Sequence, residues 1–370
     1  MFDVIVAGAG FAGMTAARLL AENGKKVLII ERRKTLAGNC YDETNDFGIT
    51  VHKYGPHIFH TKSKKCWDFV NRFSKFNGFQ HRVLSYANGA YYKFPINRDT
   101  LSQVFGTQLS NDEVQPYLQN QVCKSHYNKE IKNFRDAVVS QVGETLYDMF
   151  FHNYTSKQWG RDPEELMPEL ASRIPVRNNA DDRYFTDRYQ GLPVRGYTYL
   201  AKNMIDHENI SIMYGVDYFE IKDLFPDVLT IFTGELDRFF DYSEGHLDYR
   251  SVKIEFETYH QKEFQPACVV NYPNDYDFTR ITEFKKMTLE ESSDTTICRE
   301  YPSVNGEKLY VVPDEKNQKC RESYMNKVKE LEKSGKYLFI GRLAEYRYYN
   351  MDAVILSALD KTQSWIDNHQ

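Results

Sequence analysis

Three glycines near the start of the chain, Gly8, Gly10 and Gly13, have the spacing of a turn that binds a dinucleotide. The first two would let the chain turn sharply and a pyrophosphate approach the backbone, and the third would allow close packing of the following helix. The positive end of that helix dipole would face the phosphates. Glu31 ends the next apolar run, where a carboxylate accepts hydrogen bonds from ribose hydroxyls and repels a 2′-phosphate. The pattern therefore predicts FAD or NAD, and not NADP.

The residues after Glu31 favour FAD over NAD. Residues 32–39, RRKTLAGN, form a basic and then glycine-containing stretch that is typical of large FAD enzymes. Much later, Gly341 and Arg342 precede a helix that begins near Met351, and the N-terminus of such a helix would stabilise negative charge on the flavin ring or its pyrophosphate. FAD is therefore the predicted cofactor.

The sequence around the glycine turn predicts a strand, a helix and a second strand. Residues 4–7 form a buried-strand pattern, residues 14–23 have apolar side chains on one helical face, and residues 27–30 form a second apolar run. Such a unit opens a doubly wound parallel sheet. Residues 337–340 and 351–366 repeat the strand and helix patterns, so we expect the chain to return to this sheet.

The middle of the chain changes character. From about residue 61 to 173 it contains amphipathic stretches, such as residues 66–73 and 137–151, which predict helices and a substrate domain. Residues 210–271 return to short β-rich runs, for which a mixed sheet is predicted. No internal repeat or flexible linker separates these parts, so we expect two or three interleaved domains.

Bulk composition argues against several classes of protein. The net charge of -5 has no basic blocks, which disfavours nucleic acid as a partner. The six cysteines are scattered along the sequence without a Cys-x-x-Cys motif, so we expect them to be reduced thiols. The sequence contains no run of about 18 apolar residues, which a membrane span would require, and we find no export signal before the first strand. A cytoplasmic protein is expected.

Several short segments spread over the chain carry a family resemblance. They read HKYGPHIFHT at 52–61, YTSKQWG at 154–160, RIPVR at 173–177, YFTDRYQG at 184–191, FDY at 240–242, LDYRS at 247–251 and GRLAEY at 341–346. In this order they closely resemble the bacterial UDP-galactopyranose mutases, and the resemblance spans essentially the whole chain.

The resemblance implies an α/β fold. A Rossmann-like, doubly wound FAD-binding domain would carry an inserted helical domain and a six-stranded antiparallel β-sheet domain, with the substrate cleft between them. With approximate boundaries, the FAD-binding domain would comprise residues 1–60, 191–235 and 330–370. The mainly helical substrate domain takes residues 61–175, and the sheet domain takes residues 176–190 and 236–329. Family members are commonly homodimers, so a homodimer is expected.

The resemblance also implies a reaction. It is the reversible ring contraction of UDP-galactopyranose to UDP-galactofuranose, through a covalent adduct of the anomeric carbon with N5 of reduced FAD, and it supplies galactofuranose for surface glycans. No side-chain nucleophile is needed, because the cofactor carries the hard step. Since the chain has no second dinucleotide fingerprint, NAD(P)H as a reductant would bind transiently in the same cleft.

Three side chains are predicted to act in catalysis: His60, Arg173 and Arg280. The two arginines match the clamp on the diphosphate leaving group, for which guanidinium forks are suited. His60 would tune the flavin or move a proton. Without the resemblance, Arg280 would be read as part of a surface salt bridge.

Other residues are predicted to hold the substrate. In the family, the tyrosines that match Tyr184, Tyr310 and Tyr348 contact the diphosphate. Phe151 and Tyr154 would hold the uracil and Trp159 would face the sugar, although each aromatic could equally be a core residue. Arg195 lies on a loop expected to close over UDP, and a solvated arginine is the alternative. The full substrate set is Phe151, Tyr154, Thr155, Trp159, Arg173, Tyr184, Arg195, Asn271, Arg280, Tyr310 and Tyr348.

The cofactor set follows from the glycine turn and the resemblance, and no metal is predicted. It comprises Gly8, Gly10, Phe11, Ala12, Gly13, Glu31, Arg32, Gly38, Asn39, His57, Ile58, Val216, Gly341, Arg342, Tyr349, Asn350 and Met351. One position departs from the family, which commonly has Asp where this chain has Asn350. Asparagine still caps a helix well, so cofactor binding is expected to survive while flavin potential and substrate preference could differ.

Three alternatives stay open at the level of sequence. The same reaction could act on UDP-N-acetylgalactosamine, because the contacts that admit an acetamido group cannot be placed from one chain. An amine-oxidase-like or desaturase-like FAD oxidoreductase would share the N-terminal fold. A nucleotide-sugar or FAD-binding regulatory protein without turnover would explain Asn350 as a sign of lost catalysis.

Overall fold

A computed structural model describes residues 1–125, 130–173 and 175–369. The strands are β1 (Val4–Ala7), β2 (Val27–Glu31), β3 (Asp42–Thr44), β4 (Thr50–His52), β5 (Phe59–Thr61), β6 (Val83–Ala87), β7 (Ala90–Phe94), β8 (Tyr189–Gly191), β9 (Ile210–Tyr214), β10 (Leu229–Phe232), β11 (Tyr249–Tyr259), β12 (Val269–Asn271), β13 (Arg280–Glu283), β14 (Thr295–Ser303), β15 (Tyr310–Val311) and β16 (Tyr337–Phe339).

The α-helices alternate with these strands. They are α1 (Phe11–Glu22), α2 (Lys64–Asn71), α3 (Arg98–Phe105), α4 (Val114–Lys124), α5 (Phe134–Val142), α6 (Glu144–Phe150), α7 (His152–Trp159), α8 (Gly196–Ile205), α9 (Tyr218–Ile221), α10 (Leu236–Phe239), α11 (Lys285–Thr288), α12 (Glu315–Glu332) and α13 (Met351–Asn368).

A parallel sheet of five strands, in the order β16-β10-β1-β2-β9, forms the first layer. Apolar residues of α1, α8 and α13 cover one face, where Met14, Leu200 and Ile355 belong to the same buried cluster. On the other face, α12 packs over β10 and β16 through Tyr324 and Val328. Helices on both faces of a parallel sheet confirm the predicted doubly wound fold.

A second sheet has seven strands in the order β15-β11-β14-β13-β12-β6-β7. Its pairs are antiparallel except β12 with β6. The mixed sheet predicted for residues 210–271 is therefore only partly confirmed: β11 and β12 belong to this sheet, whereas β9 and β10 belong to the parallel sheet, because their apolar runs pair with β2 and β1. It has one strand more than the six that the resemblance implied. The hairpin β6–β7 lies within residues 61–175, which were expected to be mainly helical. The domain boundaries stay a proposal.

The helices keep the predicted positions within a few residues, with one break. The pattern over 137–151 predicted a continuous helix, whereas the structure has α5 and α6 separated by Gly143. Gly143 has φ +80°, and a Cβ there would lie 3.0 Å from the carbonyl carbon of Gln121 in α4. Close packing of α4 against this turn explains the break.

Within the described ranges, no helix combines the length and apolar character needed to cross a bilayer. All six cysteines are free.

Candidate active site

The carboxyl ends of β1, β2, β10 and β16 meet at one edge of the parallel sheet and form a long cleft. This cofactor cavity encloses about 1240 Å³, counting its solvent-open mouth. Ligands of open α/β sheets bind at this edge. Predicted cofactor residues that line the cavity are Gly8, Gly10, Phe11, Ala12, Glu31, Arg32, Gly38, Asn39, His57, Gly341, Arg342 and Met351.

The glycine turn leaves room in the cavity at one position only. A Cβ on Gly10 would meet no atom within 4 Å, and α1 starts at the next residue without a side-chain cap. A Cβ on Gly13 would lie 2.0 Å from the carbonyl oxygen of Gly8, so Gly13 serves close packing. Open backbone N–H groups beside an empty Cβ position suit a pyrophosphate.

Glu31 ties the two turns of the cavity together. Its side chain is buried, and its carboxylate accepts hydrogen bonds from the backbone N–H of Ala9 at 2.7 Å and of Arg33 at 2.8 Å. A carboxylate can accept further bonds, so this geometry fits ribose hydroxyls. Together with the glycine turn, the residues present fit a dinucleotide such as FAD.

An ion-pair clasp closes the rim of the cofactor cavity. Glu307, on the connection between β14 and β15, lies 2.5 Å from Nη2 of Arg32 and 2.6 Å from Nη2 of Arg33. Lys308, next to it, pairs with Glu235 at 3.0 Å. The seven-stranded sheet is thereby fixed to the loops that line the cavity.

Part of the cofactor cavity was not predicted. Arg238 pairs with Asp217 at 2.8 Å and its guanidinium lies 4.4 Å from the ring centroid of Phe219. These residues come from the segments around β10, and the only signal for them was their place after a parallel strand. The unpredicted lining from these segments is Asp217, Tyr218, Phe219, Phe232, Thr233, Gly234, Glu235 and Arg238.

A second cavity lies between the two sheets and encloses about 860 Å³, again counting its open mouth. This substrate cavity shares His57, Arg342 and Met351 with the cofactor cavity, so a ligand in one would adjoin a ligand in the other. Further predicted residues that line it are Ile58, His60, Tyr154, Tyr184, Asn271, Arg280, Tyr310 and Asn350.

Arg280 is held charged inside the substrate cavity. Its Nε donates to Glu300 at 2.6 Å, and that carboxylate is only 2% exposed. Burial alone would lower the pKa of Arg280, but the charge and hydrogen bond of Glu300, together with Tyr154 and Tyr310, raise the pKa well above its usual value. The two residues face each other across β13 and β14. The ion pair is thus a buried cavity feature, unlike the surface pair that was the alternative.

Tyrosine hydroxyls surround this guanidinium. Burial raises the pKa of Tyr154 and of Tyr310, so both keep neutral O–H groups that can donate to an anion. Arg342 lies 5.7 Å above the ring centroid of Tyr310. This part of the cavity can therefore accommodate a negatively charged group.

His60 is oriented by partners on three sides. Its Nδ1 lies 2.7 Å from Oδ2 of Asp187, and its ring stacks on Phe185 with centroids 3.6 Å apart. The other ring nitrogen lies 3.4 Å from Nδ2 of Asn350. The roles of Asp187 and Phe185 were not predicted, although both lie in the segment YFTDRYQG. The geometry suits donation from Nδ1 to Asp187, with Nε2 facing Asn350.

His81 is a cavity residue that sequence reasoning missed. It is buried, and within the part of the chain that the structure describes its Nδ1 has no hydrogen-bond partner. Burial, with the nearby charge of Arg280, lowers the pKa of His81 to about 3. It is therefore a neutral group that faces the substrate cavity.

Several predicted residues lie outside the lining of both cavities. Phe151 packs on Phe94, and Trp159 meets Tyr348 edge to face at 5.6 Å. Arg195 lies 3.9 Å above the ring centroid of Tyr199. The side chain of Arg173 is outside the described residues. The other residues in this group are Gly13, Tyr348, Thr155, which is buried, Val216, whose N–H donates to the Glu31 carbonyl, and Tyr349, which donates to Glu345. Their assignments stay predictions.

No cluster of His, Cys, Asp and Glu suited to a metal occurs among the described residues.

Comparison with known proteins adds to this geometry. A family model described as UDP-galactopyranose mutase matches residues 149–348, and one described as an NAD(P)-binding Rossmann-like domain matches residues 6–73. A dTDP-fucopyranose mutase of Escherichia coli is 37% identical, with 100% of each chain covered. A probable UDP-galactopyranose mutase of Klebsiella pneumoniae is 36% identical over 99% of this chain and 95% of its own.

The fold also matches a solved structure. The crystal structure of a reduced UDP-galactopyranose mutase superposes with a TM-score of 0.78 at 16% identity, covering 99% of this chain and 94% of that one. At this identity the match supports the fold alone.

Proposed function

Because this chain belongs to the UDP-galactopyranose mutase family, we propose that it interconverts UDP-galactopyranose and UDP-galactofuranose. It is accordingly an isomerase. The observation that carries the proposal is the pair of adjoining cavities, one with a dinucleotide turn and one with a buried arginine among tyrosines. A flavin and a nucleotide sugar would meet at the residues that the cavities share.

FAD is the proposed cofactor, held by the uncapped start of α1, by Glu31 and by Arg342 at the far wall. When bound and reduced, FAD would supply a nucleophilic N5 for the anomeric carbon of the sugar, so no side-chain nucleophile is required. NAD(P)H is the proposed reductant, binding transiently in the same cleft.

Arg280 would bind and orient the diphosphate that leaves and returns during ring contraction. Glu300 fixes its guanidinium from behind and keeps it charged, while the hydroxyls of Tyr154, Tyr184 and Tyr310 line the same cavity. A fixed cation in a partly enclosed cavity stabilises charge on a leaving group more strongly than one in water. Arg173 is proposed as the second arginine of this clamp.

His60 would hold or move a proton at its Nε2. Asp187 accepts from Nδ1 and so fixes the tautomer in which Nε2 is free to accept a proton. Asn350 faces that nitrogen with an amide, which can donate a hydrogen bond but carries no charge. Stacking on Phe185 holds the ring in place and covers one side from water.

A second nucleotide sugar, a dTDP-fucose, is also a candidate substrate. The Escherichia coli relative is named a dTDP-fucopyranose mutase, and it matches this chain as well as the Klebsiella relative does. The substrate cavity has an apolar wall of Val83 and Val269, paired side by side on β6 and β12, which would tolerate a methyl group. UDP-N-acetylgalactosamine is the third sugar nucleotide to compare.

The test uses purified protein whose flavin is kept reduced by dithionite, with an oxidised control. Each furanose or pyranose nucleotide is incubated separately, and products are separated by chromatography. Formation of UDP-galactopyranose from UDP-galactofuranose only in the reduced sample supports the proposal. Conversion of dTDP-fucose alone would reassign the substrate. Steady consumption of oxygen with an amine would indicate an oxidase, and UDP binding without turnover would indicate a regulatory protein.

The biological role, the location and the oligomeric state are also proposed from membership of the mutase family. The product would supply galactofuranose for surface glycans, and the enzyme would work in the cytoplasm as a homodimer. Size-exclusion chromatography with light scattering tests the dimer.

A further inference from the structure

Lys157 lies on α7, in the segment YTSKQWG, and has no role in the proposed reaction so far. Its Nζ donates to three backbone carbonyls, those of Tyr272 at 2.7 Å, Tyr276 at 2.8 Å and Phe278 at 3.2 Å. An ammonium group has three N–H donors, so each can serve one carbonyl. All three carbonyls belong to the turn that joins β12 to β13.

That turn carries cavity residues at both of its ends. Asn271 closes β12 and Arg280 opens β13; the two are partners in the strand register, and both line the substrate cavity. Among the described residues, one backbone hydrogen bond closes the turn beyond this pair, from Tyr272 N–H to the Thr279 carbonyl at 2.8 Å, and Thr279 N–H donates to the Glu300 carbonyl at 2.9 Å. The conformation of the turn therefore depends strongly on what binds its remaining carbonyls.

Other contacts fix α7 to the same sheet. Asn153 donates to Asn274 at 3.0 Å, and Asn274 donates to the Met149 carbonyl at 3.1 Å. At the C-terminal end of α7, Arg250 donates to the carbonyls of Gln158 and Lys157 at 3.1 and 3.2 Å. The helix that carries Tyr154 is thus attached both to β11 and to the β12–β13 turn.

Lys157 binds backbone in preference to side chains. Asp275 and Asp277 lie on the turn and attract the ammonium, yet among the described residues its Nζ bonds to the three carbonyls and forms no salt bridge with either carboxylate. Bonds to three carbonyls define the path of a backbone, whereas a salt bridge to a flexible carboxylate would not. The side chain is half-buried, which restricts its alternatives further.

We propose that Lys157 is a positioning residue that sets the separation between Tyr154 on α7 and Arg280 on β13, and with it the affinity for the nucleotide diphosphate. This inference rests on the proposed function, because it takes UDP as the ligand of the substrate cavity. Loss of the ammonium would let the turn move away from α7 and would misplace Arg280 without removing it.

The experiment compares Lys157→Met and Lys157→Arg in the holoenzyme, with Lys253→Met as the matched control. Lys253 lies on β11 of the same sheet, is 70% exposed and pairs with Glu255. Calorimetry gives Kd for UDP, kinetics give KM and kcat, and amide hydrogen exchange reports on residues 272–279.

We expect Lys157→Met to raise Kd for UDP and KM by about tenfold, the loss expected for a charged hydrogen bond, while kcat changes little. Exchange should quicken in residues 272–279. Lys157→Arg should restore most of the affinity, because a guanidinium can donate to several carbonyls. Lys253→Met should leave all three quantities unchanged. If Lys157→Met yields no folded protein, Lys157→Gln takes its place.

Unchanged UDP affinity in the Lys157 variant would overturn the inference, whatever its thermal stability. So would weaker binding without faster exchange in the turn, or an arginine variant no better than methionine. Absence of UDP binding and turnover in the wild-type enzyme would instead overturn the proposed function.

Discussion

At the scale of single residues, buried and half-buried carboxylates determine the state of the side chains that would meet the substrate. Glu300 keeps Arg280 charged, and Asp187 fixes the orientation of His60. Glu31 fixes the backbone of the cofactor cavity by accepting hydrogen bonds from two backbone N–H groups. Substitution of one of these carboxylates should therefore impair substrate or cofactor binding even where the carboxylate itself does not contact the ligand.

Replacing Asp187 with Asn tests the orientation of His60. An amide in that position can donate to Nδ1 and would favour the other tautomer, which places the proton on Nε2. We expect turnover to fall about 100-fold, a typical contribution of one positioned acid or base, with UDP affinity and bound flavin unchanged. Asp182→Asn is the control, since Asp182 pairs with Arg82 nearby. Equal activity of the two variants would contradict the role of His60.

Two glycines of the same turn should respond differently to alanine. Gly10→Ala places a methyl group in open space, so the apoprotein should fold normally and lose FAD affinity at least about tenfold through steric conflict with the phosphates. Gly13→Ala would place its Cβ 2.0 Å from the Gly8 carbonyl oxygen and should destabilise the fold itself. Thermal melting of apoprotein and flavin titration separate the two effects. Normal FAD binding by Gly10→Ala would contradict the phosphate assignment.

The residues that act on a ligand were easier to predict than the residues that support them. Gly10 and Glu31 stand in a recognisable pattern and Arg280 was predicted from the family resemblance, and the structure places all three in cavities. Glu300 could not be predicted, because its relation to Arg280 depends on strand register. His81 carries no local signal, since one histidine between strands is usually structural.

At the scale of elements, the connection between β14 and β15 links the two sheets. Its Glu307 and Lys308 form the ion-pair clasp at the rim of the cofactor cavity, and β15 begins directly after it with Tyr310 of the substrate cavity. One short segment therefore contacts both cavities.

Replacing Glu307 with Gln tests the clasp. It leaves Arg32 and Arg33 without their shared carboxylate, so we expect the Kd for FAD to rise about threefold to fivefold, a modest effect because surface ion pairs are worth up to about 1 kcal/mol. The difference from wild type should shrink in high salt. Glu255→Gln, which breaks the exposed pair with Lys253, is the control. Equal FAD affinity at low salt would show that the clasp does not retain the cofactor.

Most elements were predicted from periodicity, and two exceptions have different causes. The hairpin β6–β7 was missed although residues 83–94 carry its signal, Asn88-Gly89 between alternating apolar positions. Both residues have positive φ, as a two-residue hairpin turn requires. The surrounding helical pattern obscured it. The break at Gly143 depends on α4 and could not be predicted locally.

At the scale of the whole molecule, the interior contains neutral histidines beside both cavities. Burial lowers the pKa of His52, His57 and His81 to about 3 each. In an unfolded chain these groups take up protons near pH 6.5. Acid therefore favours the unfolded state, and the stability present above pH 6.5 is lost as the pH falls from there towards 3.

Urea unfolding at pH 7, 6 and 5 should show this loss. Each such histidine contributes a slope of up to about 1.4 kcal/mol per pH unit below 6.5. His81→Gln should flatten the slope by one such contribution, because glutamine does not titrate, whereas a variant of an exposed histidine such as His260 should not. An unchanged slope in His81→Gln would contradict its neutral state in the folded protein.

The return of β16 and α13 to the first sheet has a consequence for how the protein is made. Cys40 and Met351 face the same cavity and are 311 residues apart in sequence. At ordinary rates of translation, about 15 to 60 s pass between their synthesis. Until β16 emerges, β10 is an unpaired edge that invites association with other nascent chains. The wall of the cofactor cavity is therefore complete only after Met351 has been synthesised, and the exposed edge of β10 disappears when β16 pairs with it.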